Sequence, residues 1–239
     1  MTNFVTRSLV KRAALIMPVL ILSLFVPHAG VQAAFRIHED AFSISNSPGY
    51  CFAMVAFSRW YYLTRHETPP LRRVIAGQAQ QKIARELQEF YSQNLIKIQA
   101  DYCNRNHSEP SESFRAFIIG LVSGEPRIVL LMNKGPHGAV LHAVLAYEWL
   151  PEQNVIKVYD PNYSKEERFI DLEKRRYTSL DITYNSICFP EVLNSHQGLV
   201  KRMEKLYTYH VSRRVQDRGL GPIALPILKR GQAGDVATD

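Results

Sequence analysis

The chain has 239 residues, 46% of them hydrophobic and 21% charged, which suits a packed core and excludes wholesale disorder. The formal net charge is +7, of which Arg7, Lys11 and Arg12 belong to an N-terminal targeting segment, leaving +4 for the remainder. So mild a charge, scattered apart from Lys174-Arg175-Arg176 and Arg213-Arg214 and not interleaved with aromatic residues, speaks against a nucleic-acid partner.

The first element is that targeting segment. Arg7, Lys11 and Arg12 precede an apolar run from Ala13 to Val26, Pro27 and His28 break it, and Val31-Gln32-Ala33 supplies small residues for cleavage. A basic head, a short apolar middle and a small-residue exit predict a secretory signal peptide over residues 1–33. The apolar run is shorter than the ~18–20 residues that span a bilayer, so an uncleaved membrane anchor is the alternative. In both cases the rest of the chain is exported, to the periplasm or beyond, with no further membrane span expected. Residues 34–212 suit one domain, and 213–239, without aromatic residues, read as a loose C-terminal tail.

Ser45-Asn46-Ser47-Pro48-Gly49 then reads as a loop feeding a helix over residues 51–64. Apolar residues fill most of that helix, so it is expected to be central and buried on several sides. Ile83, Leu87, Phe90, Tyr91, Leu95 and Ile98 recur at threes and fours and predict one helix over 78–98. A short helix is expected over 111–122. Gly124-Glu125-Pro126 marks a change of period, after which strands are expected over 127–132, 139–149, 154–160, 167–172 and 177–188, and a last helix over 197–210. Helices first and consecutive strands afterwards predict an α+β fold, with N-terminal helices packed on an antiparallel sheet.

The chemistry-bearing residues are Cys51, His142 and Asp160. Cys51 opens the first helix, where unpaired N–H groups favour a thiolate. His142 lies inside the strand Ala139-Val140-Leu141-His142-Ala143-Val144, and Asp160 ends the next one. A turn centred near Glu152 would pair Val144 with Asp160 and set His142 diagonal to it on the same face. A slip of one residue would separate them. Gly49 would let the backbone approach closely. The Cys51 amide could donate to an oxyanion, and Asn46, or more weakly Ser45, is the side-chain donor expected beside it.

Taken singly, each residue has a plainer role: a buried small thiol, a core histidine, a turn aspartate and a turn or cap asparagine. The set in this order is what points to nucleophilic catalysis. His137 competes as the base but lies in a Gly-Pro turn. A metal site from His137, His142 and Asp160 would lack a HExxH or CxxC pattern, and neither metal nor cofactor is expected. The three cysteines leave one over in an oxidising compartment. Either Cys103 pairs with Cys188 and Cys51 stays free, or all three are unpaired.

The motifs Gly49-Tyr50-Cys51-Phe52-Ala53-Met54, His142-Ala143-Val144-Leu145-Ala146-Tyr147 and Val158-Tyr159-Asp160-Pro161-Asn162 resemble those of bacterial papain-like cysteine peptidases, in the branch grouped with bacteriocin leader peptidases. The resemblance covers roughly residues 42–172. It implies a papain-like fold with Cys51 as nucleophile, His142 as base and Asp160 as orienting residue. The oxyanion side chain would fall on Asn46, where such enzymes more usually carry Gln, and Ala53 stands where many relatives carry Gly. The expected function is therefore an exported thiol peptidase or amidase acting on a peptide or amide. A thiol acyltransferase on the same site and a non-catalytic binding protein on the same scaffold are the alternatives. The loops over residues 104–111 and 162–166 are expected to shape a substrate groove.

Overall fold

The computed structural model describes residues 34–46, 49–65, 69–105, 110–135 and 138–217; the expected signal peptide and the chain beyond 217 lie outside the described residues. Its elements are helices α1 (Ile37–Asp40), α2 (Cys51–Thr64), α3 (Leu71–Val74), α4 (Gly77–Asn94), α5 (Ile96–Arg105) and α6 (Pro110–Val122). Strands β1 (Arg127–Gly135), β2 (Gly138–Leu150), β3 (Val155–Tyr159), β4 (Glu167–Asp171), β5 (Tyr177–Ser179), β6 (Ile182–Tyr184) and β7 (Ser186–Cys188) follow. Helices α7 (Glu191–Asn194) and α8 (Gln197–Asp217) end the described chain. The fold is α+β. One antiparallel sheet runs in the order β4-β3-β2-β1-β7, and β5 and β6 form a separate hairpin.

Both sheet faces are covered. Phe52 to Phe57, Trp60 and Tyr61 of α2, Ile83, Leu87 and Tyr91 of α4, and Leu199, Met203, Leu206 and Tyr207 of α8 pack with Leu130, Ala143, Leu145 and Tyr159. The spacing of the α8 residues, at fours and threes, makes the apolar stripe that seats it. On the other face Phe117 and Leu121 of α6 pack with Val129, Leu131, Val144, Val158, Tyr177 and Tyr184. The N-terminal helices thus pack on the sheet as expected, with α6 on the face opposite α2 and α4.

Three element boundaries also differ from expectation. The helix over 78–98 is two helices, interrupted at Leu95. The interruption resets the helical phase, so Ile98 is 41% exposed while Gln99 and Cys103 are buried. The strand over 177–188 is three short strands. Leu180 and Asp181 sit at φ 46° and 65°, the two positive angles of a hairpin turn, and fold the chain back there. The last helix continues past His210 to Asp217.

Cys103 and Cys188 form a disulfide, which ties α5 to the edge strand β7. Arg59, half-buried on α2, donates to the carbonyls of Pro126 and Asn194 and so links the central helix to the entry of β1 and to α7. Desolvation, then the nearby Arg127 charge, lowers its pKa to about 10. No helix among the described residues is long and apolar enough to cross a membrane.

Candidate functional site

Cys51 is the first residue of α2, a half-buried free thiol. The first turn of a helix has N–H groups without intrahelical partners, which favours negative charge there. Gly49, two residues earlier, has φ 99°, and a Cβ at that position would meet nothing within 4 Å. The glycine is therefore required by a left-handed backbone angle and not by the close approach expected from sequence.

His142 reaches the site from β2. Its Nε2 lies 2.8 Å from Oδ1 of Asp160, with His142 4% exposed and Asp160 fully buried. Cys51 lies close enough to the same imidazole to raise its pKa. With Nε2 committed to the carboxylate, Nδ1 is the nitrogen left to face sulfur. Burial opposes charging of His142, but the hydrogen bonds to Asp160 and Cys51, and attraction to both, raise its pKa to about 9.

The register behind this contact depends on a bulge. Near the turn Trp149 pairs with Ile156 and Leu150 with Val155; beyond a shift between Ala146 and Glu148, Ala146 pairs with Val158 and Leu145 with Tyr159. Continued one step, the shifted register sets Val144 opposite Asp160, as expected. Without the extra residue Asp160 would lie opposite Leu145 and face the wrong side.

Asp160 is held by four donors. Oδ1 accepts from His142 Nε2 and from the backbone N–H of Asn162 at 2.8 Å. Oδ2 accepts from Tyr177 Oη and Ser179 Oγ, both at 2.8 Å. Desolvation alone would raise the Asp160 pKa, but these hydrogen bonds and the His142 charge outweigh it and hold the carboxyl below its ordinary value. Tyr184 of β6 stacks on the His142 ring at 5.8 Å between centroids. Burial, then repulsion from Cys51 and Asp160, pushes its phenol up to about 12, so it remains neutral near pH 7.

Asn46 joins the same network through Asn162. Its Nδ2 donates to Asn162 Oδ1 at 2.7 Å, and Asn162 Nδ2 donates to Ser179 Oγ at 2.8 Å. Asn162, which opens a loop expected to shape a substrate groove, takes part in this network. The lead-in segment is fastened from below. Arg72 donates to the carbonyls of Ala41, Phe42 and Ser164, and Ser43 donates to buried Gln80. Ser45 is exposed, and His137 and residues 106–109 of the 104–111 loop lie outside the described residues.

Tyr177, Ser179 and Tyr184 are thus the site residues that sequence reasoning missed, and Asn162 was read only as part of a motif and a groove loop. The alternation of Tyr177 and Ser179 is a period-two signal that places both on one face. Its meaning appears only once the β5–β6 hairpin is laid against Asp160. Among the described residues no group of three or more His, Cys, Asp or Glu side chains could hold a metal ion. Chemically, the arrangement offers a thiol, a buried base with a fixed carboxylate behind it, and amide donors alongside. No protein-family model, curated protein or solved structure matches the chain.

Proposed function

We propose that the protein is an exported thiol peptidase or amidase on a papain-like scaffold, working through Cys51, His142 and Asp160. The observation that carries this reading is the buried His142–Asp160 pair at 2.8 Å, with Cys51 near enough to raise the pKa of the same imidazole. The Cys103–Cys188 disulfide is compatible with export.

In the proposed reaction His142 Nδ1 takes the Cys51 proton, and Asp160, which accepts from Nε2–H, stabilises the resulting imidazolium. The thiolate attacks the carbonyl carbon of a peptide or amide, forming a C–S bond. The Cys51 N–H and Asn46 Nδ2 donate to the oxyanion. His142 returns its proton to the leaving amine as the C–N bond breaks. Water, deprotonated by His142, then attacks the thioester; the C–S bond breaks and the thiol is restored.

The test is alkylation of Cys51 by iodoacetamide from about pH 4 to 9, because an ordinary thiol with a pKa of about 8.5 loses roughly tenfold in rate per pH unit below it. Labelling at pH 6 is expected to stay within about threefold of that at pH 8, and His142→Ala is expected to restore the ordinary decline. Cys51→Ala is expected to abolish turnover of a peptide or amide substrate and leave the fold intact. An ordinary thiol profile, unchanged in His142→Ala, would favour the non-catalytic scaffold.

A further inference from the structure

The buried carboxylate of Asp160 dictates the direction of every hydrogen bond in a chain that ends on Asn46. Ionised, Asp160 can only accept. Ser179 has one hydroxyl proton, which goes to Asp160 Oδ2 at 2.8 Å. The Ser179 oxygen can then only accept, so the group facing it at 2.8 Å must be the Asn162 amide nitrogen. That places Asn162 Oδ1 at the far end, where it accepts from Asn46 Nδ2 at 2.7 Å. The amide orientations of both asparagines follow from one charge. The 3.4 Å approach of Asn162 Nδ2 to His142 Nε2 brings two donors together and is a packing contact, since Nε2–H is spent on Asp160.

We infer that Asn162 and Ser179 are positioning residues that fix the amide of Asn46 with its nitrogen in the donor orientation, so that one carboxylate aligns both the base and the oxyanion donor. This rests on the acyl-transfer reading of Cys51. An amide nitrogen carries two hydrogens. Asn162 takes one, which leaves the second for an oxyanion. Were the Asn46 amide reversed, its oxygen would meet Asn162 Oδ1, two acceptors without a proton between them. The β5–β6 hairpin carries Ser179, so it sets the polarity of a residue more than 130 positions earlier in the chain.

The experiment compares two reagents on the full chain with its disulfide intact. p-Nitrophenyl acetate acylates a thiolate through an oxyanion, whereas iodoacetamide alkylates it by displacement at carbon with no oxyanion. Acylation of Cys51 is expected to slow about 100-fold in Asn46→Ala, the usual cost of losing one oxyanion donor, and at least about tenfold in Asn162→Ala. The double variant is expected to be no slower than Asn46→Ala, because the two residues act as a unit. Alkylation is expected to stay within about twofold of wild type in all three, since the thiolate–imidazolium pair does not use the amide. Asn162→Asp keeps the shape and replaces the donor toward Ser179 by an acceptor, so it too is expected to slow acylation and spare alkylation. It also serves if Asn162→Ala fails to fold.

Wild-type acylation rates in Asn46→Ala, or in Asn162→Ala and Asn162→Asp, would overturn the inference and leave the Cys51 reading standing, as would a double variant whose defect is the product of the two single ones. No acyl adduct on Cys51 in the wild-type protein would overturn the acyl-transfer reading and this inference with it.

Discussion

His142 is the residue whose charge couples the site to the stability of the whole fold. Its pKa is raised to about 9 in the folded protein, against about 6.5 for a free histidine. A group with a raised folded pKa stabilises fully below its unfolded value and loses that contribution as pH rises through the folded value. The folded state is therefore expected to weaken between about pH 6.5 and pH 9, by on the order of 3 kcal/mol at most. Urea denaturation across that window measures it, and the slope is expected to flatten in His142→Ala. Asp160, whose pKa is depressed, acts in the opposite sense and loses its contribution as acid protonates it. Cys51, His142 and Asp160 were legible as residues because each sits in a local context with a known bias: a helix start, a strand and a strand end. Tyr177 and Ser179 were not, because nothing local marks a tyrosine and a serine on a short strand as partners of a carboxylate 17 and 19 residues away.

Among the elements, the β5–β6 hairpin carries the most visible local conflict. Its two-residue turn uses Leu180 at φ 46° and Asp181 at φ 65°, and leucine in the left-handed region costs roughly 1–2 kcal/mol. Asparagine-glycine is the pair this turn prefers. Replacing Leu180 by Asn and Asp181 by Gly is expected to raise Tm by about 2–4 °C, as about 1 kcal/mol does for a domain of this size. A thermal melt checks it, and an unchanged or lower Tm would mean that the Leu180 side chain contributes more than the turn strain costs. The turn signal was invisible in the sequence because neither residue announces a positive φ, so the segment read as one strand. The break at Leu95 was invisible for a related reason: Ile98 continues the apolar spacing numerically, while the real helix shifts phase and buries Gln99 instead. The hairpin bearing His142 was read from a turn centre, and the register near Asp160 came out as expected through the bulge between Ala146 and Glu148. A bulge has no sequence signature here.

For the molecule as a whole, the Cys103–Cys188 disulfide closes a loop spanning 85 positions and joins the helical layer to the sheet edge. A cross-link over a loop of that length stabilises by about 2–5 kcal/mol, largely by restricting the unfolded chain. Replacing both cysteines by serine is expected to lower the urea midpoint accordingly. Denatured without reductant, the described pairing is expected to leave one titratable thiol, Cys51, of the three cysteines. Three reactive thiols would refute the pairing. The sheet lies between the two cores, with Cys51 packed against the core on one side and His142 stacked on Tyr184, which belongs to the other. The proposed thiol–imidazole pair therefore forms only when both cores are assembled, and destabilising either is expected to damage the site before it unfolds the chain.

Local pattern was enough to specify the α+β class, the start of α2 at Cys51, the strand bearing His142, the strand that ends just before Asp160, and the shared face of the pair, because periodicity and parity are properties of neighbouring residues. The shielding of the pair by Tyr184, the four donors on Asp160, the path from Asn46 through Asn162 and Ser179, and the crossing of α6 to the far face were decided only in three dimensions. Each depends on segments far apart in the chain being brought into contact, and the hydrogen-bond directions follow from a charge whose burial no local pattern records.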